Sequence, residues 1–215
     1  MTCRAPVPPL DPLFDRWPVG RVIHVIHDTA FPPDSFNPGE DGAGRLRKPT
    51  RFAPIRDAAG QVVPYLYGGS TLDCAIFETV FHEVPVDAAD KFVDLDDFAQ
   101  RGHGELVPNR DLKLVDLTSE GLHRLKVPKH ELITSPSRNY PLTARWAEAL
   151  HRQCGDVDGL LWMSRQRDRD HALLLFGDRL AGVLSGTRVG APLARNPTLR
   201  DAVLAAAVRA GIDAD

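Results

Sequence analysis

The chain has 215 residues, of which 43% are hydrophobic and 26% charged, with 26 Lys and Arg against 29 Asp and Glu for a formal net charge of −3. This length suits one domain with a properly buried core, and the composition excludes disordered and fibrous classes. The charge balance lacks the cationic excess that counterion release from phosphates rewards, so direct nucleic-acid binding is not expected.

Nowhere do about 18 apolar residues run together, so no membrane-spanning helix is expected. Residues 1–18 hold five prolines and no continuous apolar stretch, which does not read as a secretory signal. The three cysteines, Cys3, Cys74 and Cys154, are odd in number and far apart. They suggest neither a disulfide framework nor a zinc site, and a soluble protein of the reducing cytoplasm is expected.

In chain order, residues 1–19 are proline-rich and read as an extended arm laid on a domain spanning 20–215, because proline lacks the donor that regular ladders need. A first strand is expected at Arg21–Ile26. A long polar stretch, His27–Gly60, follows, and a loop of that length in a compact domain is more often functional than idle. Val62–Tyr67 reads as a strand with Pro64 near its start, broken by Gly68 and Gly69. Ser70 is the expected cap of the next helix, whose apolar stripe is Leu72, Ala75, Ile76, Thr79 and Val80. Glu78 falls two positions from both Ile76 and Val80, which places it at the stripe's margin, facing a cleft.

Further strands are expected at Phe92–Leu95, Leu112–Leu117, Leu160–Ser164, Ala172–Phe176 and Ala181–Leu184, and helices at Leu142–Gln153 and Pro197–Ala210. The last helix has Asn196 as cap, Pro197 in its first turn and a stop at Gly211. Strands and helices do not alternate regularly enough for a doubly wound parallel sheet, so the expected class is α+β.

No phosphate-binding Walker loop, nucleophile elbow or zinc-protease helix is present, and the glycines at 39, 42 and 44 do not form a dinucleotide fingerprint. The eight histidines are scattered. The closest pair, His24 and His27, would point to opposite faces of a strand, and no metal site is expected. There remains a glycine-containing loop with Arg45, Arg47, Lys48 and Arg51, followed by Tyr67 and Glu78. Planar arginine donors match phosphate oxygens in pairs, which suits a pyrophosphate. Taken alone, a solvated loop and a surface glutamate explain the same residues.

The run from Tyr67 through Gly68, Gly69 and Ser70 to Glu78, continued to His82, resembles the central motif of RES-domain proteins, in which an aromatic strand end precedes a helix bearing a glutamate. Gly44–Phe52 resembles the family's arginine motif, and Asp158–Arg165 with Leu174–Phe176 is similar to its serine motif. The matches cover about residues 20–185. The resemblance implies a single domain like the ADP-ribosyltransferase fold. It also implies a toxin enzyme that cleaves the nicotinamide–ribose bond of NAD, with phosphate or water accepting the ADP-ribose and no cofactor beyond NAD as substrate.

By the same resemblance Glu78 steadies the cationic sugar and Arg51 holds the pyrophosphate, with Arg47 and Arg21 as alternatives for the family arginine. Tyr67 or Tyr65 stacks on the nicotinamide, and Ser164 bonds the carboxamide or ribose. An Xre-like antitoxin is the implied partner, through which DNA is contacted indirectly. A protein ADP-ribosyltransferase and a non-catalytic nucleotide- or partner-binding module are the alternatives.

Overall fold

The structure is a computed structural model that describes residues 3–215, with the side chains of 187–189 excepted. The strands and helices, in order, are β1 (Leu13–Trp17), β2 (Ile23–Asp28), β3 (Ile55–Arg56), β4 (Val62–Val63), β5 (Tyr65–Gly69), α1 (Leu72–Thr79), β6 (Phe92–Val93), β7 (Arg101–Pro108) and β8 (Leu112–Asp116). They continue with α2 (Ser119–Arg124), α3 (Lys129–Leu132), α4 (Tyr140–Gln153), β9 (Gly159–Met163), β10 (His171–Phe176), β11 (Leu184–Val189), α5 (Pro197–Ala210) and β12 (Asp213–Ala214). This is the expected α+β class in one domain. No described helix is long and apolar enough to cross a membrane.

Eight strands form one sheet in the order β1-β8-β9-β10-β5-β2-β7-β11. Only β8 and β9 pair in parallel within it, because the segment carrying α2, α3 and α4 crosses over between them. One sheet face buries Trp17, Ile23, Val25, Leu66, Leu106 and Leu173 against one another. Residues from both ends of the strand order meet in that cluster, so the sheet curls on itself and closes an interior without a helix. The opposite face carries two layers. Helix α4 and the flanking loops cover Val115, Leu160, Trp162 and Leu174, while Ile76, Phe77 and Phe81 of the α1 region pack against Leu199, Val203 and Ala206 of α5.

Several local expectations need correction. Leu13–Trp17, expected to be extended on the domain but outside any ladder, is an edge strand in register with Leu112–Asp116. Gly68 and Gly69 continue β5 instead of breaking it: a Cβ on Gly68 would lie 2.5 Å from the Ile23 side chain, and one on Gly69 2.8 Å from Cys74. These glycines admit the close approach of a neighbouring strand and helix. Helix α1 is capped by Thr71, whose hydroxyl accepts from the Cys74 amide at 3.0 Å, while Ser70 accepts from the His171 amide. The strand expected at Ala181–Leu184 begins only at Leu184, since Gly182 turns the chain at φ +71°. Helix α5 and its Asn196 cap are as expected.

The N-terminal segment is also tied down by charge. Arg4 donates to both carboxylate oxygens of Glu131, the shortest contact being 2.6 Å, and that bonding holds the Glu131 carboxyl down at about 2. A depressed carboxylate adds stability that is complete above its ordinary value of 4.5 and is lost as the pH falls through the folded value. Comparing urea midpoints of the wild type and Glu131→Gln at about pH 7 and about pH 2.5 should therefore show a gap that narrows in acid; an equal gap at both would contradict the account. Thr71→Ala should cost about 1 kcal/mol, the usual worth of a helix cap, in the same assay.

Candidate functional site

Along β5 the sheet comes apart. Strands β2 and β5 share one register pair, His24 with Gly69. Beyond it the free edge of Tyr65 bonds to the loop residue Asn37 in both directions, at 2.8 and 2.9 Å. A sheet edge that finds another partner has no need of the neighbouring strand, and the two halves separate. The gap is a cleft of about 800 Å³, lined on one side by Val25–Asp28 and on the other by Tyr65, Leu66, Tyr67 and Trp162. Helix α1 starts at the joined end, packs across β2 and β5 and contributes Glu78 and Thr79 to the lining.

Glu78 thus sits where the sequence pattern placed it, half-buried at the margin of the apolar stripe. It occupies the last turn of α1, which carries no basic residue. A carboxylate at that end meets the negative end of the helix dipole, so local helix energetics do not explain its presence.

Arg51 faces the same cleft and is only 4% exposed. Its guanidinium donates to the carbonyls of Leu132 and Ser135 at 3.4 and 3.3 Å and lies over the Tyr140 ring, 5.2 Å from its centre. No described carboxylate pairs with it. Its backbone is fixed twice: the Thr143 hydroxyl of α4 donates to the Arg51 carbonyl, and the next amide, Phe52, donates to the Tyr67 hydroxyl at 3.1 Å. A buried cation held this firmly without a counter-ion favours an anionic ligand, because an uncompensated buried charge is costly.

Tyr67 lines the cleft, with its hydroxyl on Thr50 at 2.9 Å and its ring edge-on to Tyr65 and Trp162. Burial raises its pKa, with the bonds from Thr50 and Phe52 opposing. Tyr65 also lines the cleft and is raised by burial. Arg47 and Lys48 line its mouth, Arg47 donating to the Glu40 carbonyl, whereas Arg45 is paired with Asp41 at 2.9 Å and is not among the lining residues.

Two expected site residues lie elsewhere. Arg21 stacks on Trp17, 3.8 Å from the ring centre, and does not line the cleft, which removes it as a pyrophosphate ligand there. Ser164 is fully buried with no hydrogen-bond partner for its hydroxyl among the described residues, and it too is absent from the lining. It sits near Cys74 at the joined end. Burial pushes that thiol up to about 12, aided by Glu78 and Asp170, with Ser164 among the weaker opposing influences. Ser164 is thus placed behind the cleft wall, close to Cys74 of α1.

Sequence reasoning passed over Tyr140 and His82, which border the cleft. Their side chains meet at 3.2 Å, and His82 also contacts Glu83 at 3.0 Å. All three continue into an adjoining pocket of about 430 Å³ with Arg165 and Ser137 on its wall. His82 stands four residues after Glu78, in the turn just beyond the end of α1, and closes the run that carries the family resemblance. Nothing near Tyr140 in the sequence marked it.

Among curated proteins none matches this chain. Among solved structures, the crystal structure of the M. tuberculosis MbcT–MbcA toxin–antitoxin complex is similar, with a TM-score of 0.54 over 88% of this chain and 92% of that one at 12% identity. That likeness concerns the fold alone. The family described as the RES domain matches residues 19–193, which spans the split sheet, the arginine loop, helix α1 and the β9–β10 hairpin, and the chain belongs to the RES-domain family.

Proposed function

We propose that the protein is a toxin enzyme that degrades NAD by cleaving the nicotinamide–ribose bond, with phosphate or water as acceptor. The observation that carries this reading is a buried, unpaired Arg51 and a half-buried Glu78 facing one cleft whose wall is aromatic. A dinucleotide offers each of these groups a complement: pyrophosphate oxygens for the guanidinium, a developing sugar cation for the carboxylate, and a flat ring for the tyrosines.

The chemistry asks little of the protein. The nicotinamide nitrogen is already positive in NAD, so the ring leaves with the bonding electron pair as a neutral molecule and needs no acid. The barrier is the oxocarbenium character left on the ribose, which a fixed carboxylate stabilises as in glycoside cleavage. Arg51 sets the register of the substrate along the cleft, and positioning of this kind lowers the barrier directly. Tyr67 serves as wall and as anchor of the arginine loop. Ser164 acts through α1 and not on the substrate. The adjoining pocket beyond His82, with Arg165, offers an acceptor an approach beside the ribose.

The toxin assignment and an Xre-like antitoxin partner are supported by family membership and by the toxin–antitoxin complex with a similar fold. The cysteine usage supports a cytoplasmic setting. In this reading DNA is reached only through the antitoxin.

Chromatography of NAD incubated with the purified protein, with and without inorganic phosphate, tests the reading. Release of nicotinamide with free ADP-ribose or its phosphate ester is expected; label retained on protein would indicate a protein ADP-ribosyltransferase instead, and no nicotinamide release would indicate a binding module. Glu78→Gln should lower turnover about a hundredfold or more, the worth of one preorganised electrostatic group of roughly 3–4 kcal/mol, with the fold intact. Arg51→Lys, which keeps the charge but loses the planar fork, should raise KM, as should Tyr67→Phe. Unchanged constants in both variants would remove these residues from the substrate site.

A further inference from the structure

Two neighbouring strands bring His24 together with His103 and Glu105 on one sheet face, and none of the three is among the residues lining the cleft. Strands β2 and β7 are antiparallel neighbours in which His24 stands opposite Glu105 and Ile26 opposite His103. Residues two apart on a strand share a face, and diagonal neighbours across a pair are within reach of long side chains. This register therefore gathers His24, His103 and Glu105 on the face where Ile26 packs toward α1 and α5. Their donor atoms all lie within 4.8 Å of one another. The two imidazoles stack at 5.2 Å with 15° between planes, and His24 Nδ1 faces His103 Nε2 at 3.0 Å.

We propose that His24, His103 and Glu105 bind one divalent transition-metal ion of the zinc class. Around zinc, bonds of about 2.0–2.1 Å in tetrahedral array set donors about 3.4 Å apart. The two ring nitrogens, now 3.0 Å apart, need to separate by only a few tenths of an ångström, with the rings turning so that both lone pairs converge on the ion. The Glu105 carboxylate already lies within 4.8 Å of both imidazole donors and supplies the third ligand. Two imidazoles with one carboxylate suit zinc-like ions, whereas calcium and magnesium prefer all-oxygen sets. His103 is 7% exposed, and its backbone carbonyl accepts from the Gly190 amide at 3.1 Å, so one ligand is held rigidly. None of the three residues lines the cleft, although Val25 and Ile26 beside them do. An ion there staples β2 to β7, two of the three strands on the far side of the split.

The test is calorimetric titration of the untagged, metal-stripped chain with zinc chloride. Saturation at one ion per chain, with a midpoint of thermal unfolding that rises with zinc concentration, is expected. His24→Gln and His103→Gln should each lower the affinity at least about a hundredfold, since even outer-shell partners of metal sites contribute about 10–100-fold. Cobalt(II) titrated into the unmutated protein gives a second readout, with intense visible d–d bands expected for a four-coordinate nitrogen and oxygen site. Absence of saturable one-to-one binding, affinity unchanged in both variants, or only the weak spectrum of hydrated cobalt would each overturn the proposal.

Discussion

A strand edge in a sheet carries donors and acceptors that must find partners, and along β5 they find two different ones. At Gly69 the edge meets β2; at Tyr65 it meets Asn37 instead. That exchange of partner lets the two parts of the sheet diverge without stranding a backbone group. It creates the cleft, places aromatic strand residues along one wall, and leaves helix α1 lying across the junction with its last turn over the opening. The geometry of the cleft is thus a consequence of backbone pairing before it is a matter of side chains.

The electrostatics of the cleft depend on the same arrangement. Arg51 bonds to α4 and to the carbonyls of Leu132 and Ser135, and its neighbour Phe52 bonds to Tyr67 of β5, so its position is over-determined while its charge is left to face the opening. Glu78 sits at the unfavourable end of its helix dipole. Neither placement is what burial or helix stability would select by itself, and groups held against local preference are a mark of functional sites. The Tyr67 hydroxyl joins the two themes, because one side chain both walls the cleft and fixes the loop that carries the cation.

Much of this was legible in the sequence. Helix α5 carried its own start and stop, Asn196 with Pro197 and then Gly211. Periodicity put Glu78 at the margin of its helix's apolar stripe, and the family resemblance singled it out. Strand β7 escaped notice because its run, Arg101-Gly-His-Gly-Glu-Leu-Val-Pro108, alternates glycines where apolar residues are usual. Those glycines make room for neighbours, Gly102 for Thr29 and Gly104 for Pro33, and such tertiary packing has no local signature. The same blindness hid the meeting of His24 with His103, which only strand register creates. Ser164 and Arg21 fall outside the cleft lining for the opposite reason: the residue type suits the chemistry, but one is fully buried and the other stacks on Trp17. Side-chain direction is decided by packing, and a motif does not state it.

Strand β1 has a practical corollary for anyone trimming the protein. The family match begins at residue 19, yet Leu13–Trp17 covers the outer edge of β8 and Trp17 is fully enclosed in the curled interior. A fragment cut at the match boundary would bare a flat hydrogen-bonding edge and leave a hole the size of an indole beside it. Such an edge recruits other chains, so the shortened form would be expected to aggregate even though every cleft residue is still encoded.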